Sequence, residues 1–356
     1  MMKVMRTVAL LSMLVVIIAG CQPAQLKQGG NESSSKELTI AIFGGSWGDA
    51  IKENIVKPFE KEHGVKVNLV EGTSTVTISK LKQEKNSPTI DIALMDSGIS
   101  ELSFHEGLVE VLDASKLTNA KDLIPLGLQK SGDKPYGVVL GYWGLGIAYN
   151  PTKVKEAPTS WLDLWKSEYQ NKVTIPTPET TGGLPLLQKM AELNGGSTDK
   201  INKGFEKIKS LNTVAYFNGS GAASNLFQSG EVIIGAHYGG PVWALKDQGV
   251  PIEFIIPKEG VLGAGSYWHL VKGSSKKELA MKFLDKAISV DAQKGIADQL
   301  YLAPVNKKVK LSEETASKMP YGKNGSIDDI VFPNYEEINK YRNAWNDQWN
   351  KEIGKK

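Results

Sequence analysis

The sequence predicts an α/β protein of two lobes, with mainly parallel sheets joined by segments that cross from one lobe to the other. Three observations point there. Short β-rich apolar runs alternate with helical patterns along most of the chain, as α/β layering requires. Roughly 315 residues follow the N-terminal segments, enough for two cores of ordinary size. One stretch, 137–149, reads Gly-Val-Val-Leu-Gly-Tyr-Trp-Gly-Leu-Gly-Ile-Ala-Tyr, the apolar, aromatic and glycine-rich character of a crossover.

The first elements stand outside that fold. Lys3 and Arg6 precede an apolar run over 8–18, about 11 residues against the roughly 20 that a membrane span needs. Small residues follow, so residues 1–20 read as a secretory signal that is cleaved. The junction Ile18-Ala19-Gly20-Cys21 resembles a bacterial lipobox, and Cys21 is the chain's single cysteine. A lone cysteine is ordinarily a small buried hydrophobe. At the end of such a signal it is instead expected to carry lipid, and two acyl chains make attachment stable. The expected location is extracytoplasmic, anchored to the cell membrane through Cys21, or periplasmic. Residues 21–37 are polar, too poor in apolar surface to repay the entropy of ordering, and read as a flexible tether.

Next comes a strand over 38–43, ended by Gly44-Gly45-Ser46-Trp47-Gly48-Asp49. Ile51, Ile55, Val56 and Phe59 then recur at helical spacing until Gly64 stops the helix. A strand over 65–69, a helix over 75–85, a strand over 90–95 and a short helix after Ser97 complete a β-α-β-α-β unit. Ligand crevices in open α/β sheets lie outside the carboxyl ends of the strands, so the loops 44–49, 71–75 and 96–100 are expected on one rim. Beyond the crossover a second unit runs over 151–257. It has helices at 161–167, 181–193 and 198–211, and strands at 172–175 and near Val214, Val232 and Ile252. The chain returns through 260–271, adds helices at 275–289 and 291–300, and ends in a helix over 335–352 expected to pack across the outside. The domain reading is therefore 38–140 with 262–310 as lobe 1, 141–261 as lobe 2, and 311–356 as a C-terminal helical segment packing on the lobes.

Charge excludes one class of partner. Lys and Arg number 42 against 39 Asp and Glu, a net of +3 of which Lys3 and Arg6 supply two. A near-neutral mature chain has no broad basic field for nucleic acid.

Several segments together resemble one family. They are Phe59-Glu60-Lys61-Glu62 with Gly64-Val65-Lys66-Val67, Tyr136-Gly137-Val138, Thr159-Ser160-Trp161-Leu162-Asp163-Leu164-Trp165, Gly230-Glu231-Val232 ahead of Tyr238-Gly239-Gly240, Pro257-Lys258-Glu259-Gly260 and Ala303-Pro304-Val305-Asn306. The chain resembles the extracellular solute-binding proteins of ABC importers, which include the spermidine/putrescine receptors. The resemblance covers nearly the whole mature chain. It implies the two-lobed periplasmic-binding-protein fold of type II, a monomer that traps a small solute between its lobes, and permease subunits as partners. Such closure is a hinge motion driven by the solute's preference for the closed state.

Candidate contacts follow from the rims. Ser46 and Trp47 sit on a glycine-flanked loop before a helix, where backbone approaches a ligand and free N–H groups meet an anion; the alternative is a plain turn capped by Ser46. Thr73, Asp96 and Ser97 lie on the neighbouring loops. In lobe 2, Glu179, Thr180 and Thr181 open a helix, with simple capping by Thr181 as the alternative. Aromatic candidates in or beside the crossovers are Tyr142, Trp143, Tyr238, Trp243, Tyr267 and Trp268, with Trp143, Tyr238 and Tyr267 placed in the site. Against the family, this chain has Thr177-Pro178-Glu179-Thr180-Thr181 and Gly263-Ala264-Gly265-Ser266-Tyr267 where the polyamine receptors place acids. Glu179, Asp96 and Asp49 remain as acids. A polyamine-type solute is the family expectation, and a zwitterionic or anionic solute such as an amino acid or aminophosphonate competes with it.

No cofactor and no metal is expected. His63, His105, His237 and His269 are widely spaced, with no paired-ligand motif. An extracytoplasmic hydrolase on the same scaffold is the alternative from another class, but neither a Gly-x-Ser-x-Gly elbow nor a His-Glu-x-x-His helix occurs. A structural or adhesive lipoprotein has no use for hinge-like crossovers.

Overall fold

A computed structural model describes residues 36–354; the signal, Cys21 and nearly all of the tether lie outside the described residues. The strands are β1 (Glu37–Ile42), β2 (Lys66–Glu71), β3 (Ile92–Asp96), β4 (Leu128–Ser131), β5 (Lys134–Tyr149), β6 (Val173–Pro176), β7 (Thr213–Phe217), β8 (Ile234–Tyr238), β9 (Glu253–Ile255) and β10 (Leu262–Leu270). They are hydrogen-bonded in the order β2-β1-β3-β10-β5-β8-β6-β7, with β4 and β9 added on β5.

Two parallel triplets stand at the ends of this order. β1 runs parallel to β2 and β3, and β6 runs parallel to β7 and β8. Between them β5 and β10 run antiparallel to each other and to their outer neighbours. The molecule is thus an α/β two-lobed fold joined by crossing strands. β5 serves both lobes: it pairs with β10 from Val138 to Leu145 and with β8 from Leu145 to Tyr149. A strand covered on both faces reads as a continuous apolar run rather than an alternating one, which is the pattern of 137–149. Gly146 is required there, since a Cβ would lie 2.5 Å from the Phe254 ring.

Most expected elements are present within a few residues. The helix after β1 runs through Ser46–Ile51, a π-helical turn at Lys52–Val56 and Lys57–His63, and Gly64 closes it at φ 62°. The segment expected as a helix at 161–167 is a 3₁₀ turn, Trp161–Trp165. It is held by the return segment, because Ser160 Oγ donates to Glu259 at 2.6 Å and the Trp161 indole donates to the Gly260 carbonyl at 3.1 Å. The helix expected at 198–211 covers Asn202–Lys209. Helices Ser220–Ser229 and Gly239–Asp247, and strand β4, add to the expected set.

The last helix, Tyr335–Glu352, has the expected extent but does more than lie on the outside. At its start the Tyr335 hydroxyl donates to the Gly263 carbonyl at 3.2 Å and Asn339 Nδ2 donates to the Gly98 carbonyl at 2.6 Å. Near its end Gln348 Nε2 donates to Asn202 Oδ1 at 2.9 Å and Trp349 meets Tyr216 edge-on, centroids 5.1 Å apart. It straps both triplets.

A buried clamp holds the crossing strand in place. Gln293, 1% exposed, donates from Nε2 to the carbonyls of Val139 and Leu140 at 3.1 and 2.9 Å, and its Oε1 accepts from Val305 N at 2.8 Å. The near-isosteric Gln293→Leu strands these backbone groups without partners. It is expected to cost about 2–4 kcal/mol, read as a lower urea midpoint at constant m-value; an unchanged midpoint contradicts the clamp.

Candidate ligand-binding cleft

The strand directions set where the site forms. β3 ends at Asp96, registered through Ser266 of β10 onto Gly141 of β5, while β8 runs the opposite way and ends at Tyr238, registered onto Leu145. The carboxyl ends of the two triplets therefore face each other across a short piece of β5, and Trp143 lies in that piece. A cleft of about 730 Å³ opens there, a size suited to a small organic molecule.

Six loops after parallel strands line it. Lobe 1 contributes Phe43, Gly44 and Trp47 after β1, 71–75 after β2, and Asp96, Ser97 and Ile99 after β3; lobe 2 contributes Glu179, Thr180 and Thr181 after β6, Asn218, Gly219 and Ser220 after β7, and Tyr238, Gly240 and Pro241 after β8. Trp143, Leu300, Leu302 and Arg342 complete the wall.

Asp96 is the electrostatic centre. Its Oδ1 accepts from Ser266 Oγ at 2.6 Å, and its Oδ2 accepts from Thr181 Oγ1 at 3.2 Å, a hydrogen bond that crosses from one lobe to the other. Its backbone N–H donates to Ser74 Oγ at 3.0 Å, fixing the loop. Removal from water, opposed in part by hydrogen bonds from the hydroxyls of Ser266 and Thr181 and from the Trp143 indole, leaves the carboxyl raised to about 6. Glu71 and Glu179 add two exposed carboxylates to the walls. The Glu71 carboxylate lies against the β1 loop, where a Cβ on Gly44 would stand 2.6 Å from its Oε2.

Aromatic faces surround these acids. Trp143 meets Tyr238 edge-on, centroids 5.0 Å apart at 88°, and Trp47 meets Phe43 at 5.4 Å and 76°. Burial raises the Tyr238 phenol to about 12, so it is a neutral donor at any ordinary pH.

Of the residues singled out from the sequence, Trp47, Thr73, Asp96, Ser97, Trp143, Glu179, Thr180, Thr181 and Tyr238 line the cleft. Two lie elsewhere. Ser46 is exposed, does not line the cleft and caps nothing, the N-cap being Gly45. Tyr267 is buried behind the wall, its hydroxyl 3.4 Å from Ser97 Oγ and its ring edge-on to Tyr142. Asp49 is exposed and does not line the cleft. Tyr142 points away to donate to the Leu126 carbonyl at 2.9 Å, Trp243 packs on Phe254, and Trp268 packs on Phe283 in the core.

Sequence reading missed Glu71 as an acid, the loop 218–220, and Arg342. The last had a signal. Among 42 Lys and Arg the chain has two arginines, Arg6 in the signal and Arg342.

The two histidines near the crossings are structural. His237 Nδ1 accepts from Tyr238 N at 2.9 Å, and its Nε2 meets Ser224 Oγ at 3.1 Å; burial pushes its pKa down to about 3. His269 Nδ1 donates to the Tyr136 carbonyl at 2.9 Å, and burial pushes its pKa down to about 4. Both are neutral, and neither lines the cleft. Among the described residues no group of three or more His, Cys, Asp and Glu could hold a metal ion, and no helix is long and apolar enough to cross a membrane.

Comparison with known proteins agrees with this geometry. Residues 54–321 match the family described as bacterial extracellular solute-binding protein. The chain is 27% identical over 322 residues to the spermidine/putrescine-binding periplasmic protein of Salmonella typhimurium, covering 87% of this chain and 86% of that one. It is 25% identical over 332 residues to the gamma-aminobutyric acid-binding protein of Pseudomonas aeruginosa, covering 88% and 92%. A crystal structure of an ABC transporter protein from Clostridium perfringens superposes with a TM-score of 0.74 at 29% identity, covering 89% of this chain and 99% of that one. With three quarters of its length matched by one family and the same two-lobed architecture, the chain belongs to the bacterial extracellular solute-binding proteins.

Proposed function

We propose that this chain is the capture component of an ABC importer for a small amino compound. In this reading it loses residues 1–20, is held at the membrane by lipid on Cys21 with 21–37 as tether, and delivers its solute to permease subunits as a monomer. The lobes that close are 38–140 with 262–310 and 141–261. In this reading it is a receptor and not a catalyst, which is supported by His237 and His269 being buried, neutral and outside the cleft.

The observation that carries the reading is the wall chemistry: carboxylates Glu71, Asp96 and Glu179 interleaved with Trp47, Trp143 and Tyr238 in one cleft between two lobes. An ammonium gains charge-assisted hydrogen bonds from carboxylates, and aromatic faces attract it while covering its methylenes. The names of the similar proteins, spermidine/putrescine-binding and gamma-aminobutyric acid-binding, share an aliphatic amine. The Thr181 to Asp96 hydrogen bond supports closure, because a solute bridging those loops adds to a contact the lobes already make.

Thermal denaturation of the purified protein against amines, amino acids, sugars and ferric salts tests the class. An amino compound at about 100 times its dissociation constant adds roughly 2.7 kcal/mol of stability; a shift with sugars or iron alone contradicts the reading. Trp47→Ala is expected to weaken that compound about tenfold, the scale of a partly desolvated cation–π contact, with an unchanged circular dichroism spectrum; equal affinity removes Trp47 from the site.

Affinity should also follow pH with a defined sign. Below its pKa of about 6, Asp96 is protonated and cannot pair with an ammonium; above it the carboxylate is ready. Calorimetry is expected to show binding about tenfold tighter at pH 7 than at pH 5, with proton release near pH 6, and no such dependence in Asp96→Asn. Affinity that falls with rising pH over this window contradicts the role of Asp96.

A further inference from the structure

Arg342 is the arginine that this lysine-rich chain places in the cleft. Its setting is built. Nε donates to Asn339 Oδ1 at 2.8 Å, and Asn339 Nδ2 in turn donates to the Gly98 carbonyl at 2.6 Å, which ties the guanidinium to the loop that carries Asp96 and Ser97. Gly98, at φ 88°, leaves the room it occupies: a Cβ there would stand 2.6 Å from Arg342 Nη2. Nothing pairs the far end. Among the described residues Arg342 makes no salt bridge, and its terminal nitrogens have no acceptor. Glu101, the acid whose charge reaches it, makes no hydrogen bond to it and accepts instead from the Gly98 N–H and Gln129 Nε2. A guanidinium offers five N–H donors in a planar fork matched to an oxyanion. Here one donor is used to aim it, and the terminal nitrogens of this cleft-lining residue have no hydrogen-bond acceptor among the described residues.

We propose that Arg342 is the anchor for an oxyanion, so that the solute is a zwitterion with an amine at one end and a carboxylate or phosphonate at the other. This rests on the amino-compound reading above and narrows it. The amine faces Glu71, Asp96 and Glu179, and the acidic end docks on the fork that the C-terminal helix delivers between the lobes. A diamine has no partner for Arg342 and places one ammonium against a fixed cation in a desolvated site, so the same residue that selects a zwitterion rejects a polyamine. The last helix thereby belongs to the binding site.

Calorimetric titration of the full-length protein with γ-aminobutyrate, 3-aminopropylphosphonate and putrescine tests this, using wild type, Arg342→Gln and Arg342→Lys. The proposal expects wild type to bind one of the two zwitterions at least about 100-fold tighter than putrescine, the scale of leaving one partner of a buried charge pair unmatched. Which zwitterion it is separates carboxylate from phosphonate. Arg342→Gln should lose that preference and gain putrescine affinity, and Arg342→Lys should fall between. If Arg342→Gln fails to fold by circular dichroism, Asn339→Ala, which frees the fork without removing it, should weaken the zwitterion and leave putrescine unchanged. Wild type that prefers putrescine, or a folded Arg342→Gln that keeps full zwitterion affinity, overturns the anchor while the amino-compound reading stands. Wild type that binds none of the three overturns both.

Discussion

Strand β5 gives its first half to β10 and its second half to β8, and the architecture of the site follows from that division. Because each pairing is antiparallel, the parallel triplets on either side run toward each other, and their carboxyl-end loops meet over the middle of the same strand. The loops that α/β sheets use for binding are thereby brought face to face, with Trp143 as the floor between Asp96 and Tyr238. A strand in this position must be buried on both faces, and it is, along nearly its whole length. Gln293 satisfies its backbone carbonyls at Val139 and Leu140, so the crossing stays fixed.

The electrostatics of the cleft rest on the cost of holding charge away from water. Asp96 is poised between its two protonation states because burial opposes its ionisation while hydroxyl donors favour it. In the proposed reading an arriving ammonium tips that balance, so part of the solute's binding energy goes into ionising Asp96. Thr181 reaches the same carboxylate from the other lobe. In that reading one group couples solute charge, proton occupancy and the approach of the lobes.

Much of this was legible in the sequence, and the failures have physical causes. The three rims of lobe 1 were readable because their strands carry dense β-branched and apolar residues and their loops carry Gly, Ser and Thr; Trp47, Thr73, Asp96 and Ser97 all fall in the cleft. Helices Ser220–Ser229 and Gly239–Asp247 escaped because they begin Ser-Gly and Gly-Gly-Pro, residues whose low helix propensity is overridden by packing on β8 and β9. The turn at Trp161–Trp165 looked helical because its aromatics recur at helical spacing; what fixes it as 3₁₀ is Glu259, a hundred residues on, which no local pattern reveals. Tyr267 was placed in the site as a crossover aromatic, but alternation along β10 turns its ring into the wall. Arg342 lies farthest from the other site residues in sequence, and only the strap across both lobes brings it in. Its rarity was the available clue.

In the proposed reading the space between the lobes, and not an outer surface, receives an amine. A crystal structure of the protein grown with a saturating amino solute tests it most directly. Density is expected beside Trp143, with the ammonium about 3 Å from a carboxylate oxygen of Glu71, Asp96 or Glu179. Density confined to the outer surface, or a cleft that holds only water at saturation, contradicts it.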